Sequence, residues 1–186
     1  RYTYSNSYGY VMPNITCSDL YQDYVSVSAT SSSSISAGVT RAEITREGYE
    51  EFRKKVKFSL KQARTMGKNS FYVFREEDYN VFLRKEKIVG AFRNAIANGY
   101  QGIEVYYQPI TDCMSEKIIG AEALMRFTMT SAAGEESISP VEFIPLLEET
   151  GLIIPAGRFV LNEAAKTCSE IGRRIPHFRM NVNVSC

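Results

Sequence analysis

Apolar residues recur at spacings of three and four over residues 46–66, where Tyr49, Phe52, Val56, Leu60 and Ala63 are separated by charged positions. That period predicts an amphipathic helix. Gly67 follows as its stop, because glycine enters the left-handed region without strain. A second helix over 77–98 carries Tyr79, Phe82, Leu83, Ile88, Phe92 and Ile96 and ends at Asn98-Gly99. Ser139-Pro140 opens a third helix, since serine can cap and proline tolerates the first helical position. Its apolar positions are Phe143, Ile144, Leu146 and Leu147, and Thr150-Gly151 ends it. A fourth helix is expected over 156–171. Alternating or apolar runs predict strands near 34–40, 70–74, 104–110, 117–126 and 178–184.

Residues 1–34 lack such periodicity and are rich in Tyr and Ser. They read as a poorly specified segment with a disordered start, with a short helix from Asp19 to Val27 leading into a strand. The rest is α/β in class: strand, helix, glycine turn and strand over 35–76, then a strand-and-helix succession over 77–186. The boundary falls near Phe74–Glu77. The helix from Glu77 lacks the Gly, Pro and Ser enrichment of a flexible linker.

Composition narrows the function classes. A chain of 186 residues with 44% hydrophobic content can hold one or two globular domains. A formal charge of +1 argues against a nucleic acid polymer as partner. The basic stretch Arg53-Lys54-Lys55, with Lys57 and Lys61, reads as a solvated helix face. Four cysteines, Cys17, Cys113, Cys168 and Cys186, form no C-x-x-C pair, and the one histidine, His177, stands in a loop without a partner. These features oppose a zinc site or a disulfide framework and suit a reducing, cytoplasmic compartment. Asn14-Ile-Thr and Asn183-Val-Ser match a glycosylation pattern that such a chain would not use. No apolar run is long enough to cross a bilayer.

Three strand ends carry candidate chemistry. Glu122 lies in Gly120-Ala121-Glu122-Ala123-Leu124-Met125-Arg126, and even separations on a strand share a face, so Glu122, Leu124 and Arg126 look toward one side. A carboxylate for a metal and a guanidinium for a phosphate oxygen suit phosphodiester chemistry. A glutamate satisfied by a neighbouring cation such as Arg126 is the other reading. Asn181 and Asn183 also share a face. They are structural hydrogen-bonded amides or, for a carbonyl oxygen, ligands of a hard cation. Gln108 bonds either a base or neighbouring backbone.

The series Tyr107-Gln108-Pro109-Ile110, Gly120 to Arg126, Ser-Pro-x-x-Phe-Ile-Pro-Leu-x-Glu-Glu-Thr-Gly-Leu-Ile from Ser139, and Asn183-Val184-Ser185 resembles the EAL domain family across residues 78–186. The resemblance implies a modified TIM barrel whose first strand runs antiparallel to the others. It implies hydrolysis of cyclic di-GMP to the linear dinucleotide with Mg²⁺ or Mn²⁺. It makes Glu122 and Asn183 metal ligands, with Glu122 catalytic. Arg126 becomes a phosphate contact, Gln108 and Leu124 line the nucleotide site, and Pro140 lies nearby. It leaves room for a homodimer through this domain and for upstream sensory domains and membrane attachment in a longer parent.

Residues 35–74 resemble the C-terminal end of a GGDEF domain, through Ile35-Ser-Ala-Gly-Val-Thr40, the helix to Lys68-Asn69, and Phe71-Tyr-Val-Phe74. Lys57 and Lys61 replace the family's usual aspartate and tyrosine, and its Gly-Gly-Asp/Glu-Glu-Phe loop is absent, so no cyclase activity is expected. A TIM barrel needs on the order of 250 residues and eight strands. About a hundred residues follow the boundary, enough for about three strands, and the family's later carboxylates and lysine have no positions here. The chain therefore reads as an inactive fragment of a phosphodiesterase. A non-catalytic cyclic di-GMP receptor or protein-interaction platform is the alternative.

Overall fold

The computed structural model describes residues 22–30, 34–42, 48–131 and 134–184. The expected disordered start, Asn14, Cys17, Ser185 and Cys186 lie outside the described residues. In chain order the elements are β1 (Gln22–Thr30), β2 (Ser34–Ala42), α1 (Tyr49–Thr65), β3 (Phe71–Val73), α2 (Glu76–Ala97), β4 (Ile103–Thr111), β5 (Ile118–Ser131), β6 (Gly134–Ile138), α3 (Pro140–Thr150), α4 (Ile153–Gly172) and β7 (Arg179–Val182). The class is mixed α/β. By compactness the chain divides at Leu83/Arg84, inside α2.

The first unit holds a sheet ordered β1-β2-β3, with β1 antiparallel and β3 parallel to β2. The expected helix from Asp19 to Val27 is corrected here: residues 22–30 are a strand, paired with β2 along its length. Val25 and Val27 fit a pleated ladder, and strand pairing overrides the weak local signal. The α1 stripe also differs from expectation. Phe58, Ser59 and Ala63 are buried, and so is Lys55. The reason is close approach: a Cβ on Gly38 of β2 would lie 2.3 Å from the Leu60 backbone nitrogen. Such contact favours the small Ser59, whose hydroxyl donates to the Lys55 carbonyl at 3.0 Å. Lys55 is therefore no part of a solvated face. It pairs with Glu76 at 3.3 Å and lies over the Phe74 ring at 5.2 Å. Phe58 packs amid Tyr72, Phe74, Tyr79 and Phe82.

The second unit holds a sheet with β4, β5 and β6 in order and β7 on the other part of β5. β4 and β6 run antiparallel to β5, and β7 runs parallel to it. The antiparallel first strand is what the EAL resemblance implied. β6 was not foreseen: Gly134 to Ile138 is short and acidic, and only pairing with the extended end of β5 makes it a strand. The β4–β5 hairpin turns on Asp112, whose Oδ1 accepts from the Met114 and Ser115 amides at 3.1 and 2.8 Å. Ser139 stands at the α3 N-cap, yet its hydroxyl makes no capping bond; its carbonyl accepts from Glu142 and Phe143 instead. Gly151 ends that helix at φ 72°.

Ile88 and Phe92 of α2, Phe127 and Met129 of β5, and Phe143 and Leu147 of α3 form the main core. Phe92 and Phe127 meet edge to face at 4.8 Å. Arg84 binds Glu142 of α3 through Nε at 2.8 Å and Glu136 of β6 through Nη1 at 2.6 Å. Hydrogen bonds from Arg84 hold the Glu142 carboxyl below its ordinary value.

Two outcomes follow from this packing. Phe127→Ala should cost about 3–5 kcal/mol, because it removes a ring from a filled core. A urea midpoint within experimental error of wild type would contradict that. Glu142 has a depressed pKa when folded, so its contribution is present above the unfolded value and fades as pH falls through the folded one. With both side chains over a third exposed, or nearly so, the effect is at most about 1 kcal/mol. Arg84→Met should flatten the stability-against-pH curve below about pH 5, as read by urea titrations.

Candidate functional site

The register of three strands builds the site. Gln108 of β4 stands opposite Glu122 of β5, and Glu122 stands beside Asn181 of β7. Paired residues share a sheet face and alternate ones return to it. One face therefore carries Tyr106 and Gln108, then Glu122, Leu124 and Arg126, then Asn181 and Asn183. The other carries Val105 and Tyr107, Ala123 and Met125, and Met180 and Val182, packed around Val160 and Ala164 of α4. The Tyr107 hydroxyl accepts from Thr167 of α4 at 2.9 Å. This motif tyrosine thus anchors the sheet to its helix, while the neighbouring Gln108 is exposed on the opposite face.

Glu122 is half-buried and Asn183 exposed. The Asn183 amide nitrogen donates to Glu122 Oε1 at 2.8 Å. Glu122 thus meets Asn183, not Arg126, and the ion-pair reading of Glu122 with Arg126 is not what forms. Arg126 donates from Nη1 to the Met125 carbonyl at 3.0 Å and lies over the Tyr106 ring at 5.5 Å. Leu124, Arg126, Pro140 and Asn183 line one mainly apolar cavity of about 330 Å³, together with residues that include Ile144 of α3 and Gly157 of α4. Gln108 and Glu122 lie outside its lining, so Asn183 is the residue that joins the Glu122 pair to the cavity.

The donor chemistry suits a hard divalent cation. A carboxylate and an amide carbonyl are the oxygen ligands that Mg²⁺ or Mn²⁺ takes. A half turn of the Asn183 amide would replace its nitrogen by oxygen against Glu122, since the two orientations differ only in hydrogen bonding. Among the described residues no three His, Cys, Asp or Glu side chains come together. The described part therefore offers one carboxylate and one amide to an ion. Sequence reasoning passed over Tyr106. Its signal was available: it lies two positions before Gln108, on the same face.

A family model described as EAL domain matches residues 89–186. The chain is 34% identical over 94 residues to the probable cyclic di-GMP phosphodiesterase PdeG of Escherichia coli (strain K12), covering 50% of this chain and 18% of that protein. It is 28% identical over 128 residues to the biofilm architecture maintenance protein MbaA of Vibrio cholerae, covering 68% and 16%. It is 29% identical over 148 residues to the uncharacterized protein y4lL of Sinorhizobium fredii, covering 80% and 17%. The chain thus spans less than a fifth of the length of these relatives. Among solved structures, the PaMucR phosphodiesterase in complex with c-di-GMP is 30% identical, with a TM-score of 0.46 over 53% of this chain and 38% of that one.

Gly120 fixes the spacing on which the Glu122–Asn183 contact depends. A Cβ there would lie 2.6 Å from the Arg179 carbonyl of β7. That neighbour is backbone and cannot rotate away. Gly120→Ala should therefore push β7 off β5, destabilise by about 1–3 kcal/mol, and increase hydrogen exchange at the β7 amides. Wild-type exchange there would show that the strands tolerate the methyl group.

Proposed function

The chain belongs to the EAL domain family, and on that premise we propose that it is part of a phosphodiesterase that opens cyclic di-GMP to the linear dinucleotide. The observation that carries this reading is the Glu122–Asn183 contact, with Arg126 on the same sheet face. The names of relatives such as PdeG support the substrate. Residues 77–186 would be the first part of the barrel, residues 35–76 a GGDEF-like remnant without cyclase activity, and residues 1–34 a leading segment of unassigned role. Upstream sensory domains and a homodimer through the EAL domain would belong to the longer protein. Among the described residues no helix is long and apolar enough to cross a membrane.

The hydrolysis adds water across one phosphodiester: a bond from phosphorus to the water oxygen forms, and the bond to a ribose oxygen breaks. Glu122 and Asn183 would hold Mg²⁺ or Mn²⁺ through their side-chain oxygens. In a two-metal site such ions activate water and stabilise the leaving oxygen. Arg126 would donate to a non-bridging phosphate oxygen and offset the charge that develops there. Leu124 and Pro140 would give the nucleotide an apolar wall. Gln108, exposed beside Glu122, would bond a base or ribose edge.

The test is a product assay on the full-length protein with Mg²⁺ or Mn²⁺ added. Glu122→Gln should nearly abolish turnover, because a neutral amide is a poorer ligand for a hard cation than a carboxylate. Arg126→Ala should chiefly weaken binding, by about 1.5–3 kcal/mol for a lost charge-assisted hydrogen bond. The 186-residue chain alone should show no turnover. Full activity in Glu122→Gln would remove its assignment as a ligand. A wild-type protein that binds cyclic di-GMP without cleaving it would establish a receptor instead.

A further inference from the structure

Arg126 and Arg84 are both half-buried, but their surroundings differ. Arg84 is bound by two carboxylates, Glu136 and Glu142. Among the described residues no carboxylate forms an ion pair with Arg126. Its contacts are the Met125 carbonyl at one Nη and the flat face of Tyr106. Glu104 stands opposite Arg126 in the strand register, yet the guanidinium turns to the ring instead.

Tyr106 has no place in the core. It is 56% exposed and paired with Leu124, which makes Arg126 its diagonal neighbour across the two strands. Diagonal neighbours lie within reach of a long side chain and a ring. A guanidinium is flat and presents five N–H donors at its edge. The Tyr106 ring, with the guanidinium carbon over it at 5.5 Å, leaves these donors to other acceptors. Of these donors, the backbone carbonyl takes one. The remaining N–H groups are left to donate to the two oxygens of a phosphate, and the ring contact restricts the rotamers of a side chain that is otherwise costly to order.

We propose that Tyr106 is a positioning residue, which holds the Arg126 guanidinium over its ring so that the free N–H groups meet the phosphodiester. It acts through its ring and through Arg126. This inference rests on the reading of Arg126 as a phosphate contact. Ordering of the guanidinium, however, is measurable without any ligand.

The experiment uses the full-length protein and two measurements. The first is ¹⁵N and ¹H NMR of the Arg126 Nε–H group, assigned by its loss in Arg126→Ala. The second is equilibrium binding of cyclic di-GMP. Tyr106→Leu should remove the ring-current shift, raise the mobility of Nε–H, and weaken binding about 3- to 10-fold, the range of a partly exposed cation–π contact. Tyr106→Phe should keep the shift and the affinity, since the ring acts and the hydroxyl does not. In Arg126→Ala, adding Tyr106→Leu should cause no further loss.

Unchanged Nε–H mobility in Tyr106→Leu would overturn the proposal. So would equal loss in Tyr106→Phe, or additive losses in the double variant, because each makes Tyr106 a contact independent of Arg126. A wild-type protein that orders Arg126 against Tyr106 but does not bind cyclic di-GMP would instead refute the reading of the site as a cyclic di-GMP site. That result would overturn the phosphodiester role and leave the ring contact as structure alone.

Discussion

The register between β5 and its neighbours on both sides is the constraint from which the second unit follows. Side chains on a strand alternate strictly, so a slip of one residue would exchange the faces of the sheet. In the observed register Ala121, Ala123 and Phe127 are buried on one face of the sheet, and Glu122, Leu124 and Arg126 alternate onto the other. A shifted register would put a carboxylate and a guanidinium into the apolar layer around Val160 and Ala164, where neither could be solvated. The same burial that stabilises the unit therefore aims its polar groups. No separate device is needed to expose Glu122.

The alternation also explains why the spacing of the motif has the form it does. In Gly120 to Arg126, the odd-numbered members Ala123 and Met125 pack against α4, and the small Ala123 lets it come near. Its even-numbered members Glu122, Leu124 and Arg126 carry the candidate chemistry. Gly120 serves neither layer: it admits the Arg179 carbonyl, and so sets how near β7 can bring Asn183. Tyr107 and Gln108 divide in the same way, one bonded to Thr167 and one exposed beside Glu122.

Much of this was legible in the sequence because the signals were local. The four helices and the strand ends carrying Gln108, Glu122 and Asn183 follow from periodicity and turn residues. What escaped depends on contacts between distant residues. β6 is a strand only because β5 extends to Ser131 and pairs with it. β1 is a strand because β2 offers its edge. The burial of Lys55 required knowing that Glu76 and Phe74 lie near its ammonium group, and the closeness of Gly38 to α1 decided which helix face turned inward. Ser139 stands at the N-cap as its residue type suggested, but the type does not fix its rotamer: its carbonyl begins the helix while its hydroxyl makes no capping bond.

Charge partnership separates the structural arginine from the candidate functional one. Both could have been read from sequence as surface cations near carboxylates. Arg84 joins α2 to α3 and β6, and its two carboxylates hold its own pKa further above the ordinary range while depressing that of Glu142. A ligand phosphate would have to displace those carboxylates to bind there. On the sheet face of Arg126, Glu104 stands opposite it in the register and Glu122 four residues before it; among the described residues neither forms an ion pair with it, and Glu122 is engaged by Asn183. The guanidinium turns to the Tyr106 ring and the Met125 carbonyl rather than to a carboxylate, and so keeps donors available. The Asn183 amide thus has a second physical consequence besides its suitability as a ligand: it satisfies Glu122 without drawing on a cation.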